Sequence, residues 1–415
     1  MRDRHSRSMS LARYLKQFRS VLAVGRAGSA AHAAQLLPLS SSAIARAIRE
    51  LEGQLGVALF ERAARGMLMT AEGKLLARRA ERALAQLALA ETEASSLADP
   101  GARAAWQMAG RFSGSCAYRH LATYVAFCET GGELAAAARL RVSQPAVNQT
   151  LRQLEHMLGS VLFYRSVRGV RLTESGEAVL RRTKLALAEF RHAEEDLMAL
   201  HGKMSGRIVI GSLPLSAGVL VPRAVDRVLA LHKDLNVTIV DGTYGALMHQ
   251  LRHADVDVVV GALRGELTAA DVVQEPLFED TLSVVVRQGH PLVGKSLAGL
   301  RDLVGESWIA PLTGTPARAA FERAFAADGV APPHASLEVN SAVVLQALLM
   351  DSNRLALLSR RQIIRGVSAG LLQVLPVEVR ETGRYIGLTM RADSDLGASM
   401  RSFVAELRAL CQETD

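Results

Sequence analysis

A chain of 415 residues is too long for one ordinary domain and, at about 150 residues each, points to about three. Hydrophobic residues make up 49% and aromatic residues only 4%, so the cores must be aliphatic and alanine-rich. The net charge of +8 is uneven: residues 1–206 carry 29 Lys and Arg against 18 Asp and Glu, whereas residues 207–415 carry 20 against 23. A basic front on a mildly acidic back is the footprint of a chain that meets a polyanion with one end, although a solvated arginine-rich surface gives the same count. Cys116, Cys128 and Cys411 have no metal-ligand spacing and an odd total, which excludes a disulfide framework and suits a reducing compartment. No apolar run approaches the ~18 residues of a membrane helix. The stretch Val21–Gly25 is short and is broken by Arg26, so neither a signal peptide nor a membrane partner is expected and the location read is cytoplasmic.

Taken from the front, the chain repeats itself. Leu39-Ser-Ser-Ser-Ala-Ile-Ala-Arg-Ala-Ile-Arg-Glu-Leu-Glu52 aligns with Val142-Ser-Gln-Pro-Ala-Val-Asn-Gln-Thr-Leu-Arg-Gln-Leu-Glu155, an offset of 103 residues. Without a gap, Leu55-Gly56 then matches Leu158-Gly159, Leu59-Phe60 matches Leu162-Phe163, and Arg62, Arg65-Gly66, Thr70 and Gly73 match Arg165, Arg168-Gly169, Thr173 and Gly176. One unit is written twice. The expected division is 10–98 for copy 1 with its long helix, 99–117 for a flexible linker, 118–204 for copy 2 with its long helix, and 205–415 for the remainder.

Copy 2 reads most clearly. Tyr118, Leu121, Val125 and Cys128 recur at helical spacing and predict a helix ending near Gly131-Gly132. A short helix over 133–139 and a tight turn follow. Ser143 can cap the next helix, and Pro145 in its first turn costs no hydrogen bond. Ala146, Val147, Leu151, Leu154 and Leu158 form the apolar side, leaving Gln144, Asn148, Gln149, Arg152 and Gln153 outward. Amides and arginine on an exposed helix face are the side chains that bond base edges in the major groove. Residues 163–165 and 170–173 predict two strands of a wing around Arg168-Gly169, and Thr173 caps a long helix. That helix carries an apolar seam in alternating steps of four and three: Val179, Thr183, Ala186, Phe190, Ala193, Leu197 and Leu200. Copy 1 repeats the seam as Leu76, Ala80, Ala83, Leu87, Ala90, Ala94 and Leu97. The two seams can pair with each other inside one chain or between two chains.

The motifs Val-Ser-Gln-Pro-Ala-Val, Leu-Arg-Gln-Leu-Glu, Leu-Phe-Tyr-Arg and Arg-Gly-Val-Arg-Leu-Thr-Glu-Ser-Gly-Glu, in this order, resemble the N-terminal domain of LysR-type transcriptional regulators. The resemblance implies a winged helix-turn-helix unit with Ser143, Gln144, Pro145, Asn148, Gln149 and Arg152 at the recognition helix and Arg165, Arg168 and Arg171 in the wing. Double-stranded DNA is then a partner, with a homo-oligomer implied and RNA polymerase a further partner it allows. Copy 1 departs: Ser41-Ser42 replace Gln-Pro, Ala45 replaces the asparagine, and Arg46 and Arg49 remain for phosphate. It reads equally as a DNA grip of low selectivity or as a packing module.

In the back half, strands at 207–211, 237–240 and 256–261 alternate with helices at about 218–232 and 247–253, which means a parallel α/β sheet. Residues 282–286 and 308–309 begin a second lobe, and 385–390 with 400–410 can return to the first, giving lobe 1 as about 205–264 and 380–415 and lobe 2 as about 265–379. The fold class is therefore α/β, with two helix-rich winged units ahead of a two-lobed domain. That domain resembles the effector domain of the LysR family, of periplasmic-binding-protein type. Gly-Ser-Leu-Pro, Pro-Leu-Thr-Gly-Thr-Pro-Ala-Arg and Ile-Gly-Leu-Thr-Met-Arg are similar to the subgroup containing the galactose-binding-protein and protocatechuate regulators, which implies a sugar, sugar acid or aromatic acid as effector. Ligands bind beyond the carboxyl ends of such strands, so the cleft residues expected are Ser212, Ser216, Thr243, Thr313, Thr315, Arg318 and Asn340. Leu215 stands where the subgroup has a hydroxyl, and Ser212 or Ser216 would have to substitute. A bare helix cap with a surface charge also explains Thr313, Thr315 and Arg318.

An enzyme would need a nucleophile with its base or a metal cluster, and neither motif is present, so no catalytic residue, metal or cofactor is expected. The rival to an effector-controlled DNA-binding regulator is an interaction or solute-binding protein whose winged units have lost DNA.

Overall fold

The computed structural model describes residues 10–63, 66–97, 112–166, 169–213, 219–265, 270–334 and 336–413. The chain forms two compact units: the front one ends at Gly206 and includes the short return Gly397–Ser399, and the back one takes Arg207–Leu396 and the chain from Met400.

In the front unit, a turn at Leu11–Tyr14 leads into α1 (Leu15–Ala27), α2 (Ala30–Leu36) and α3 (Ser41–Leu55), then β1 (Phe60–Ala63), β2 (Gly66–Met69) and the long α4 (Ala71–Leu97). After α5 (Phe112–Ser115) the pattern returns as α6 (Tyr118–Thr130), α7 (Glu133–Leu140), α8 (Gln144–Leu158), β3 (Phe163–Ser166), β4 (Gly169–Leu172) and α9 (Glu174–Leu200). Apart from one extra residue at the end of α7, every boundary from α6 to α9 lies 103 residues beyond its counterpart, because the same side chains recur. The hydroxyls of Ser40 and Ser143 accept the backbone N–H of Ala43 and Ala146 and so cap the third helix of each copy. Gly56 and Gly159 close those helices in the left-handed conformation, with φ of 69° and 62°. The hydroxyls of Thr70 and Thr173 donate to the carbonyls of Ala58 and Val161, each two residues ahead of the first wing strand, at 2.8 Å, and tie the start of the long helix to that turn. There a side chain has no room: a Cβ on Gly73 or Gly176 would lie 2.1 or 1.9 Å from the carbonyl oxygen of Leu59 or Leu162. The copies differ in the turn before the third helix, where Arg141 adopts φ 56° while its counterpart is Pro38, whose ring forbids that conformation.

One apolar cluster runs from Leu11 to Leu197 and draws on both copies. Its spine is α4 packed against α9 in the same chain, antiparallel. Every seam residue from Leu76 to Ala94 and from Val179 to Leu197 is buried; only the terminal Leu97 and Leu200 are exposed. Arg79, with no exposed surface, donates to Asp196 at 2.7 and 2.9 Å and to Glu189 at 2.9 Å. Arg182, its equivalent in copy 2, donates to Glu93 and Gln86, the equivalents of Asp196 and Glu189. The same interactions occur twice, once from each side, as around a two-fold axis. Outside the seam, Glu194 accepts the N–H of Leu11 while Glu91, its counterpart, accepts those of Phe112 and Ser113. Phe18 of α1 packs on Phe190 of α9, ring centroids 5.4 Å apart.

The back unit contains β5 (Ser205–Ser212), α10 (Leu220–Leu231), β6 (Asp234–Asp241), α11 (Tyr244–Arg252), β7 (Val258–Ala262), β8 (Val272–Asp280) and β9 (Leu282–Arg287). After these come α12 (Pro316–Ala327), α13 (Ala342–Met350), β10 (Ala356–Ser359), α14 (Arg360–Ser368), β11 (Leu372–Val374), β12 (Arg384–Arg391) and α15 (Ala398–Gln412). The first sheet has the order β6-β5-β7-β12-β8, the second β10-β9-β11. Two expectations change. The first sheet is mixed, because β12 runs antiparallel to both β7 and β8. The first lobe also continues past 264, because β8 pairs with β12 along its whole length and the crossover follows Asp280. Trp308 and Ala310 make single parallel bridges rather than a strand, and Trp308 is packed edge-on between Phe321 and Phe325 of α12.

Three outcomes are expected. Gly176→Ala should lower the unfolding free energy by about 2 kcal/mol or more, read by chemical denaturation, because backbone must move to admit the methyl group. Arg79 and Glu93 should govern the front unit. Burial alone would depress the Arg79 pKa, but the bonds and charges of Asp196 and Glu189 outweigh it and hold it raised; Arg79→Ala takes the guanidinium away from buried Asp196 and leaves Glu189 to Arg82, and should cost about 3–5 kcal/mol. Burial would raise the Glu93 pKa, but Arg182 and Arg181 outweigh it and hold it below the usual carboxylate value. Its stabilisation is therefore complete above pH about 4.3 and is lost as pH falls through the lowered value. Melting curves of Glu93→Gln should show a smaller loss over that acid range than the native chain.

Candidate nucleic-acid interface and effector cleft

In copy 2 the buried side of α8 is Val147, Leu151, Leu154 and Leu158, and this fixes the opposite side outward. Gln144, Pro145, Gln149, Arg152 and Gln153 are all exposed. They line a shallow cleft of about 920 Å³ together with Arg119 and Glu133. Asn148 lies on the same cleft but is half-buried, and its amide donates to Glu133 of α7 at 3.0 Å. Ser143 is spent as the helix cap. In the wing, Arg171 is exposed on β4; Arg168 and the side chain of Arg165 lie outside the described residues. Copy 1 presents Ser41, Ser42, Arg46 and Arg49 at the equivalent exposed positions of α3, with Ala45 half-buried opposite Asn148. Its wing has Leu68, 64% exposed, where copy 2 has Arg171.

In the back unit, the strand ends and helix starts of the two lobes converge on a cavity of about 260 Å³. Its floor is Leu213, Ala262 and Val339, and its rim holds Thr243-Tyr244, Thr313–Ala317 and Asn340. Two arginines reach it. Arg264 follows the carboxyl end of β7, and its guanidinium lies 3.9 Å from the centroid of the Tyr244 ring. Arg384 opens β12; it is buried and bonded to Asp280 at 3.0 Å, and Asp280 also accepts the Ser359 hydroxyl. Ile386 pairs with Ala262 across the antiparallel ladder, so the two arginines, each two residues further along, stand at one end of the sheet. The Nε of both is buried without an acceptor among the described residues.

Two family models match the chain. The bacterial regulatory helix-turn-helix protein model of the lysR family matches residues 15–74 and again 118–177, and the LysR substrate binding domain matches residues 201–412. The HTH-type transcriptional regulator GalR of Pseudomonas putida is 35% identical over 382 residues, 91% of this chain and 92% of its own length. The chain belongs to the LysR family of transcriptional regulators. It is a DNA-binding regulator with an effector-binding domain, and its curated relatives are named as regulators, not enzymes. The HTH-type transcriptional regulator PcaQ of Agrobacterium fabrum is 31% identical over 296 residues, 71% of this chain but 95% of its own. The GalR match is thus long enough to take in both winged copies, whereas PcaQ has length for one. Among solved structures, a full-length OxyR variant from Pseudomonas aeruginosa shares the fold, with a TM-score of 0.55 at 22% identity over 71% of this chain and 93% of that one.

In this LysR-type regulator the expected cleft residues divide. Thr243, Thr313, Thr315 and Asn340 line the cavity; Ser212 does not, and Ser216 lies outside the described residues. Arg318 is corrected: its guanidinium is bound to Glu322 at 2.7 Å and Glu338 at 2.8 Å, which hold its pKa raised, and it is not on the cavity wall. Thr315 acts as a helix cap, accepting the N–H of Arg318 at 3.1 Å and donating to the carbonyl of Leu312 at 2.7 Å. Arg264 was missed although Val-Val-Val-Gly-Ala-Leu-Arg places it directly after a strand. Arg384 had no such signal, because its position depends on β12 entering antiparallel. Burial pushes the Cys116 thiol up to about 11 and the Cys128 thiol up to about 12. Both therefore remain thiols near neutral pH. Among the described residues no helix is long and apolar enough to cross a membrane.

Gln149 and Arg171 should separate base reading from phosphate contact. Gln149→Ala should lower the preference for the specific site by about 1–3 kcal/mol. Arg171→Ala should weaken specific and random duplexes alike and reduce the salt slope by about one. Titrations at several salt concentrations measure both, and equal losses on the two duplexes for both variants would refute the division.

Proposed function

We propose that this LysR-type regulator works in the cytoplasm, without catalytic activity, as a transcription switch controlled by a small carboxylate. Copy 2 reads base edges with Gln144, Gln149 and Arg152, with Asn148 held in place by Glu133 and Pro145 setting the first turn. Arg171, together with Arg165 and Arg168 of the wing, takes phosphate, as do Arg46 and Arg49 of copy 1.

The observation that carries the choice of effector is the pair Arg264 and Arg384. Arg384 is already neutralised by Asp280; Arg264 has no carboxylate partner among the described residues and sits over the Tyr244 ring. A planar guanidinium backed by a ring suits a carboxylate, which it can hold by two parallel bonds. The hydroxyl of Thr313 and the amide of Asn340 supply polar contacts on the facing lobe, and the cavity of about 260 Å³ limits the guest to a small acid, such as a sugar acid or an aromatic acid. A guest held by both lobes would favour their closed arrangement by its difference in affinity for the two.

A thermal-shift screen tests this reading. A small carboxylate at a hundred times its dissociation constant stabilises the native state by about 2.7 kcal/mol, whereas the matching amide or alcohol should do little. Arg264→Met should abolish the shift and Arg318→Met should leave it. Stabilisation by a neutral sugar that survives Arg264→Met would overturn the assignment.

A further inference from the structure

The two winged copies are joined by a seam of helices that each chain completes for itself. Arg79 of copy 1 bonds Asp196 and Glu189 of copy 2, and Arg182 of copy 2 bonds Glu93 and Gln86 of copy 1. The Arg19 side chain, on α1, donates to the carbonyl oxygens of Ser113 and Cys116 just ahead of copy 2. The apolar residues of both seams are covered by one another, from Leu76 to Ala94 and from Val179 to Leu197. The pair is therefore two-fold in architecture, which matches the two-fold relation between the strands of a duplex. It is not two-fold in its reading faces. Where α8 exposes Gln144, Pro145 and Gln149, α3 exposes Ser41, Ser42 and Arg46; only Arg152 and Arg49 agree. Amides suit adenine, whereas an arginine suits guanine or phosphate. The wings differ in the same sense, with Tyr164 and Arg171 against Glu61 and Leu68.

We propose that a single chain is a complete two-headed DNA reader, and that its target is a polar duplex with two unlike half-sites, one read by the amides of α8 and the other held by the arginines of α3. The chain then binds in one orientation only. The proposal rests on the base reading by copy 2 and the phosphate contact by copy 1 proposed above, and adds that the two copies of one chain hold the two halves of the same duplex.

The test uses the full-length chain. Sequences are first selected from a random duplex pool. Then a DNA-cleaving iron chelate is attached through a cysteine at either of two equivalent exposed wing positions, Glu61→Cys or Tyr164→Cys, with the native chain as background for its own thiols. The expected motif is asymmetric, and Gln149→Ala should blur one half of it by roughly tenfold or more. The chelate at position 164 should cut the flank beside that half, and the chelate at position 61 the other flank. Three results would overturn the proposal: a palindrome blurred in both halves by Gln149→Ala, cutting of both flanks from position 164, or no cutting from position 61. The last would leave base reading by copy 2 intact, so the two readings fail separately.

Discussion

The front unit depends on one buried charge. Arg79 is sealed between two antiparallel helices and is acceptable there only because Asp196 and Glu189 face it. A buried ion pair adds little net stability over an apolar contact of equal size, but it is severe on mispairing, since any shift strands a charge out of water. An alanine-rich seam alone would slide, because small side chains interlock weakly. The ion pairs at both ends of the seam fix the register, the register fixes where each winged unit sits, and each copy's recognition helix follows.

That dependence explains why the pairing and the reading faces can be discussed apart. The seam arginines Arg79 and Arg182 recur with their partners exchanged, and outside the seam Glu91 and Glu194 bond the chain ahead of each copy while Gly73 and Gly176 press on the backbone of their own copy, so both copies keep the same constraints. The exposed side of α3 touches none of these residues. It has changed at four of the five positions compared, while the core beneath stays aliphatic, with Ile44, Ile48 and Leu51 in the places of Val147, Leu151 and Leu154.

Much of this was legible in the sequence, for a definite reason. Duplication supplies an internal alignment, and an offset that holds through caps, glycines and seam residues locates elements to within a residue or so. The winged units, the wing strands and the long helices follow from that. The back half has no second copy to compare. Its early strands are visible as apolar runs, but β8 is interrupted by Glu275, Pro276, Glu279 and Asp280, and nothing local in β12 says that it enters antiparallel. Arg318 illustrates the harder limit. A basic residue in the first turn of a helix reads as a ligand contact, yet Glu322 and Glu338 claim it, and Glu338 is near only after folding.

Joining two winged units in one polypeptide also alters what a mutation does. In a pair made from identical chains, each substitution is made twice, so a change that improves one half of the contact is forced on the other. Here position 46 and position 149 are encoded separately, and one can drift or specialise while its twin is held constant. The tether also presents each seam to its partner at an effective concentration on the order of millimolar, so the pair survives dilution to a few molecules per cell. Asymmetry at the reading surface is therefore inheritable in this chain, and assembly of the winged pair does not depend on how much of the protein is made.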